Sequence, residues 1–455
     1  MHALEAIATW AAEVGDDHDD LAWSRARAGC IDTVACMVAG AHDPATETAR
    51  GAVARWGSGA AMTVGDVERR PAPWAALVNG TAADALDFDD YDVPAASHPS
   101  AVLLPALLAL GEERGASGRS ILDAYIVGLE VQMRLGEALN MSHFVKGFHP
   151  TATCGTFGAA TIAARLLGLK DERFNYALGI AGSQTSGSME YLAQGAWTKR
   201  FHPGWSSHSG IWAAILARSG YIGPTTILEG RDGFLNAYSG DPDPESVLRD
   251  LGEEYLVTRT GVKPHSCCRY NQGPIDCLLD LKNTHNIQHQ DVEEVRIGML
   301  SAGWGLVAAP EEYKRNPTSV VDMQFSMPFS AAAALVYGRP SLAEYAPGVP
   351  ERAEVKNIMD RTRCVADPQL DAAYPKQFRA WAEVQTKDGR SVRSDIEYPK
   401  GDPENALSWD EMKEKFLSIS SPVISANRQS EIIARIESLE EMTDARELAA
   451  LLVTE

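Results

Sequence analysis

The chain is predicted to be mainly α, a large all-helical domain with a smaller α+β lid domain, and three observations carry that expectation. Apolar residues recur at helical spacing with almost no strand signal up to about Gly261. Period-two alternation then begins at Val292–Met299 and returns in two runs around Lys387-Asp388-Gly389-Arg390, a hairpin signal. After residue 402 the pattern is helical again, so the simplest architecture packs that tail on the first half. Residues 1–261 and 403–455 then form the helical domain, and 262–402 the lid.

In order, Leu4–Val14, Leu21–Ala41 and Ala45–Trp56 read as helices, followed by a short extended piece at Met62–Gly65. Trp74–Leu86 is a helix of small residues that lets neighbours approach closely. It delivers the chain into Asp87-Phe88-Asp89-Asp90-Tyr91-Asp92, and the loop runs on to His98-Pro99-Ser100. Helices are expected over Ala101–Glu113 and Ser120 to about Leu139, and over Gly155–Leu167 and Ser209–Ser219. Three loops separate them: His143 to Thr151, Gly182–Gly187 and Thr198–Gly204. In the second half Ser326–Tyr337 and Pro350–Arg361 look helical, and Ser391–Tyr398 pairs with Ala380–Thr386. Ser408-Trp409-Asp410-Glu411 is a capping box opening a tail helix, and Glu431–Leu439 and Ala445–Leu452 are amphipathic.

A formal net charge of −21 argues against nucleic acid or an anionic membrane as partner. No apolar run is long enough for a bilayer, and Met1–Trp10 lacks a secretory pattern. The seven cysteines are scattered without CxxC spacing, which fits reduced thiols in the cytoplasm and disfavours zinc or iron–sulfur.

Chemistry concentrates in the loops. Crowded carboxylates at Asp87–Asp92 raise some of one another's pKa values, as an acid/base site requires. A solvated acidic turn capping the next helix would use the same residues, so the other loops must decide. His-Pro occurs in three of them, at His98, His149 and His202, where proline keeps each histidine out of a helix. Lys199 lies beside His202, while Lys263, His265 and Arg269 make a cationic cluster at the expected domain junction, where clefts form. An EF-hand started at Asp87 fails, because Asp92 stands where glycine is required. A DDxxD magnesium motif is out of register, and no P-loop or GxGxxG is present. No metal is expected.

Taken as an ordered set, Asp87-Phe88-Asp89-Asp90 with His98-Pro99-Ser100, Gly147-Phe148-His149-Pro150, Thr198-Lys199 with His202-Pro203-Gly204, and Lys263-Pro264-His265-Ser266-Cys267-Cys268-Arg269-Tyr270 resemble the MmgE/PrpD family. That family includes 2-methylcitrate dehydratase, cis-aconitate decarboxylase and iminodisuccinate epimerase. The resemblance implies a cofactor-free homodimer with a helical domain, a lid and a cleft between them. It places Asp87, His98, His149, Lys199 and Lys263 in catalysis, with Tyr91, His202, Arg269 and Phe329 as substrate contacts. The expected substrate is a small polycarboxylate, and the expected reaction is dehydration by acid/base chemistry next to a carboxylate. Epimerisation and decarboxylation on the same scaffold are the alternatives, as is an inactive member that only binds a metabolite. Three positions depart from the family pattern: Asp84, where histidine is common, Tyr91, often threonine, and Phe329, where the decarboxylases place a tyrosine. These departures weigh against decarboxylation.

Overall fold

In a computed structural model that describes residues 2–453, the molecule is mainly helical with a smaller α+β part. Among the described residues, nine helices of ten or more residues build the first half: α1 (Ala3–Glu13), α2 (Asp20–Ala39), α3 (Pro44–Val53), α4 (Ala72–Asp84), α5 (Ser100–Arg114), α6 (Gly118–Val145), α7 (Pro150–Leu166), α8 (Asp171–Gly182) and α9 (Thr198–Arg218). Local chemistry fixes many of their starts. The Asp19, Asp43 and Ser117 side chains each accept an amide hydrogen bond at an N-terminus, and proline opens α3 and α7 where no donor is needed. The extended piece near residue 62 is only a two-residue ladder, β1 (Ala61–Met62) against β2 (Arg69–Arg70).

Two expectations about the loops are corrected. Thr198–Gly204 is not a loop but the first turns of α9, although Pro203 lies within it. Proline removes one rung of the hydrogen-bond ladder, and packing against α4 offsets the loss. A Cβ on Gly204 would lie 2.1 Å from the Leu77 carbonyl oxygen, and one on Gly80 would lie 2.7 Å from Gly204 Cα, so the two backbones touch. His143, expected in a loop, sits on the continuation of α6 past a break at Asn140, whose φ is 55°.

The smaller part holds a four-stranded sheet in the order β4-β3-β5-β6: β3 is Val292–Met299, β4 Thr362–Ala366, β5 Ala380–Thr386 and β6 Ser391–Ile396. β3 and β4 run parallel; the β5–β6 hairpin is antiparallel. Helices α10 (Arg269–His285), α11 (Met327–Tyr337) and α12 (Ala353–Arg361) accompany it. Neither α10 nor β4 stands out in sequence. The first carries Gly273 and Pro274 among many polar residues, and the second is five residues long.

The tail returns as α13 (Trp409–Ser420), opened by the expected capping box at Ser408 and Glu411, and α14 (Ala426–Glu437). Phe416 and Ile419 of α13 join one apolar core with residues from Leu4 to Val262, whereas a second core draws on residues between Cys267 and Val384.

Candidate active site

Helix α4 ends at Asp84, and the acidic segment that follows is buried rather than solvated: Asp87, Asp89, Asp90 and Asp92 are each no more than 4% exposed. Buried carboxylates need partners. Asp90 accepts from the Ser100 amide at 3.1 Å and from its hydroxyl, and burial pushes its pKa well up. Asp92 accepts from the Ala95 amide at 2.9 Å and closes a turn with Ser97. These two shape the loop.

Asp87, in the left-handed region with φ of 50°, takes a different pair of partners. Lys199, from the first turn of α9, donates to Asp84 Oδ1 at 2.6 Å and reaches Asp87 Oδ1 at 2.8 Å. Lys263 donates to the Asp87 carbonyl at 3.0 Å and to its Oδ1 at 3.1 Å, with Asp89 Oδ1 3.9 Å away. Burial alone would raise the Asp87 pKa, but the Lys199 and Lys263 cations outweigh it and hold the carboxyl below the ordinary range. Asp84 goes the other way, to about 8, because burial dominates over Lys199 and the neighbouring Asp89 and Asp87 add repulsion. Asp84, Asp87 and Asp89 each bring an oxygen within 4.8 Å of the others, a spacing a metal could use. The cations among them are the two ammonium groups, and both lysines are held charged by these carboxylates despite burial.

The imidazoles approach from the other side. His98 Nδ1 lies 2.7 Å from the Asp90 carbonyl, which can only accept, so Nδ1 carries the proton and Nε2 keeps a lone pair. Burial first, against an opposing Asp89, lowers its pKa to about 4. The His149 ring centroid is 6.2 Å from that of His98, and burial and His202 push its pKa well down. His149 Nδ1 and His202 Nδ1 are 3.0 Å apart, so one ring donates and the other accepts.

A cavity of about 120 Å³ brings together Asp87, Tyr91, His98, His149, Lys199, Lys263 and Arg269. Tyr91 exchanges both backbone hydrogen bonds with Gly261, at 2.9 Å each, and so stitches the acidic loop to the segment that leads to Lys263. Its hydroxyl and Arg269 both bind the Asp402 carboxylate. Two expected substrate contacts lie elsewhere. His202 stands behind His149 and does not line the cavity. Phe329 is fully buried in the second core, its ring 5.4 Å from Tyr345, because α11 turns that face inward.

Sequence reasoning missed several residues. Cys268 lines the cavity as a thiol, its pKa raised to about 11 by burial, and Tyr191, Phe325 and Phe378 are among its other wall residues. Lys415, on α13, donates to the Phe88 carbonyl at 2.6 Å and the Lys263 carbonyl at 2.9 Å, and also binds Asp32. It clamps both charged segments from the tail, and nothing in an ordinary amphipathic helix marks it.

The profile of the MmgE/PrpD N-terminal domain matches residues 5–247, and that of the MmgE/PrpD C-terminal domain matches residues 265–441. The cis-aconitate decarboxylase-like protein oryM of Aspergillus oryzae is 31% identical, the alignment covering 94% of this chain and 92% of that protein. The cis-aconitate decarboxylase of Aspergillus terreus is 27% identical over 98% of this chain and 95% of its own length, and that of Homo sapiens 28% over 84% and 80%. With both profiles in chain order and that identity over nearly the full length, the chain belongs to the MmgE/PrpD family.

Proposed function

We propose that the chain is a cofactor-independent lyase of a di- or tricarboxylate, and that it decarboxylates an unsaturated member of that class. The observation that carries the reading is the meeting of two buried ammonium groups, Lys199 and Lys263, with the buried His149 ring and the half-buried His98 ring on one cavity. Breaking the bond between a methylene carbon and its carboxylate leaves an electron pair. That pair forms a new double bond, and the old double bond's electrons move onto the remaining carboxylate as an enolate. Lys199 and Lys263 neutralise the enolate where it develops. An imidazolium of the His98/His149 pair then gives its proton to the enolate carbon, so CO₂ leaves and one proton is gained. Burial first, with the lysine charges adding to it, holds both rings' pKa values down; a bound polyanion offsets that positive field, raises them and so favours the imidazolium that gives the proton.

Decarboxylation is placed ahead of dehydration because the fungal and human relatives are cis-aconitate decarboxylases or resemble them. Of the departures noted in the sequence, Phe329 does not line the cavity, so its missing hydroxyl does not change the wall. Dehydration is the second reading. It is favoured by the neutral His98, whose Nε2 lone pair is ready to take a proton from carbon before any substrate binds.

Incubation with cis-aconitate, 2-methylcitrate and iminodisuccinate in deuterated water, followed by NMR, tests this. Release of CO₂ with one carbon-bound deuterium supports the proposal. Loss of water alone puts the hydro-lyase first, exchange without loss of either indicates an epimerase, and binding without any change indicates an inactive member. The homodimer that the family resemblance implies belongs to the same proposal, and light scattering of the purified chain reads it.

A further inference from the structure

Beside the charged floor, the cavity presents apolar side chains that no small polycarboxylate would cover. Met141 and Phe144, past the break in α6, Met189 and Leu192 from the turn before α9, and Leu306 from the smaller domain are only half-buried and line the same space. They come from three separate stretches of chain, so the apolar wall is assembled by the fold rather than being one helix face. A citrate-like molecule is polar at nearly every atom and would leave these groups in contact with its carboxylates or with trapped water, which is unfavourable.

Cationic groups are few by comparison. Among the described residues the lining cations are Lys199, Lys263 and Arg269. The two lysines are already shared with Asp84, Asp87 and Asp89. Arg269 is 9% exposed and lies 4.7 Å from the centre of the Tyr91 ring and 4.3 Å from that of Phe378. One nitrogen binds Asp402, while its Nε and Nη1 are buried without a partner. A buried guanidinium with two unpaired donors on a cavity wall is a place for a carboxylate oxygen.

Resting on the lyase reading above, we infer that the substrate is a polycarboxylate bearing an apolar arm, an alkyl or aryl substituent larger than methyl. Its carboxylates meet the two lysines and Arg269, and the arm lies along Met141, Phe144, Met189, Leu192 and Leu306. The charged end fixes the reacting carbon over His98 and His149, and the arm sets which molecule is accepted.

The test is calorimetric titration of the full chain with maleate and its 2-methyl, 2-butyl and 2-hexyl homologues. These share a cis-dicarboxylate core with an unsaturated substrate and have no methylene carboxylate to lose. Affinity is expected to rise by roughly fourfold per added methylene as the arm reaches the apolar wall. Leu306→Asn, at a half-buried position, flattens that rise, and Arg269→Gln weakens every member of the series. Equal affinity across the series in the wild type overturns the inference and leaves the lyase reading standing. Failure of every homologue to bind, maleate included, overturns both.

Discussion

At the scale of single residues, charge is the controlling quantity. Removing the His98 ring as His98→Ala takes away one proton carrier without touching the lysine network, so turnover is expected to fall by about 10²-fold or more while circular dichroism stays unchanged. Asp84 predicts a pH effect with a definite sign. Its carboxyl is protonated below about 8, and as the pH rises through that value it adds a negative charge 2.6 Å from Lys199. KM for a polyanion should therefore rise above that pH, and Asp84→Asn should flatten the rise. The His149–His202 contact predicts a split: His202→Phe frees the His149 tautomer, so kcat falls and its pH profile shifts while KM holds. Of these residues His98, His149, Lys199, Lys263 and Asp87 were legible because turns and prolines set them apart. Lys415 and the hydrogen bond of His202 behind His149 depend on distant segments meeting, which no local pattern encodes.

At the scale of elements, the helices of the first half were legible from their spacing, and the β5–β6 hairpin from its turn residues. The start of α9 was not, because Pro203 reads as a break until α4 is packed against it. That contact carries its own prediction. Gly204→Ala forces a methyl group toward the Leu77 carbonyl and should destabilise the fold by about 1–3 kcal/mol, read by denaturant unfolding, while Gly51→Ala, with open space around it, should not. The tail helix α13 matters to the site as well as to the core. Lys415→Met should lower kcat more than a comparable surface change, since it releases the Phe88 and Lys263 carbonyls together.

At the scale of the whole molecule, the cavity takes lining from both parts of the chain: Asp87, His98, His149 and Lys199 come from the helical first half, Leu306, Phe325 and Phe378 from the smaller α+β part. A protein of net charge −21 holds a polyanion only where cations are concentrated and water is excluded. The sequence shows the acidic background and the scattered lysines; the fold brings the lysines to one point. The measurement that addresses this most directly is calorimetric titration of cis-aconitate into the wild type and into Lys199→Met and Lys263→Met, each checked for folding by circular dichroism. The account predicts that either substitution weakens binding by about 10²-fold, the cost of removing one partner from a buried charged contact. Undiminished affinity in both folded variants would contradict it.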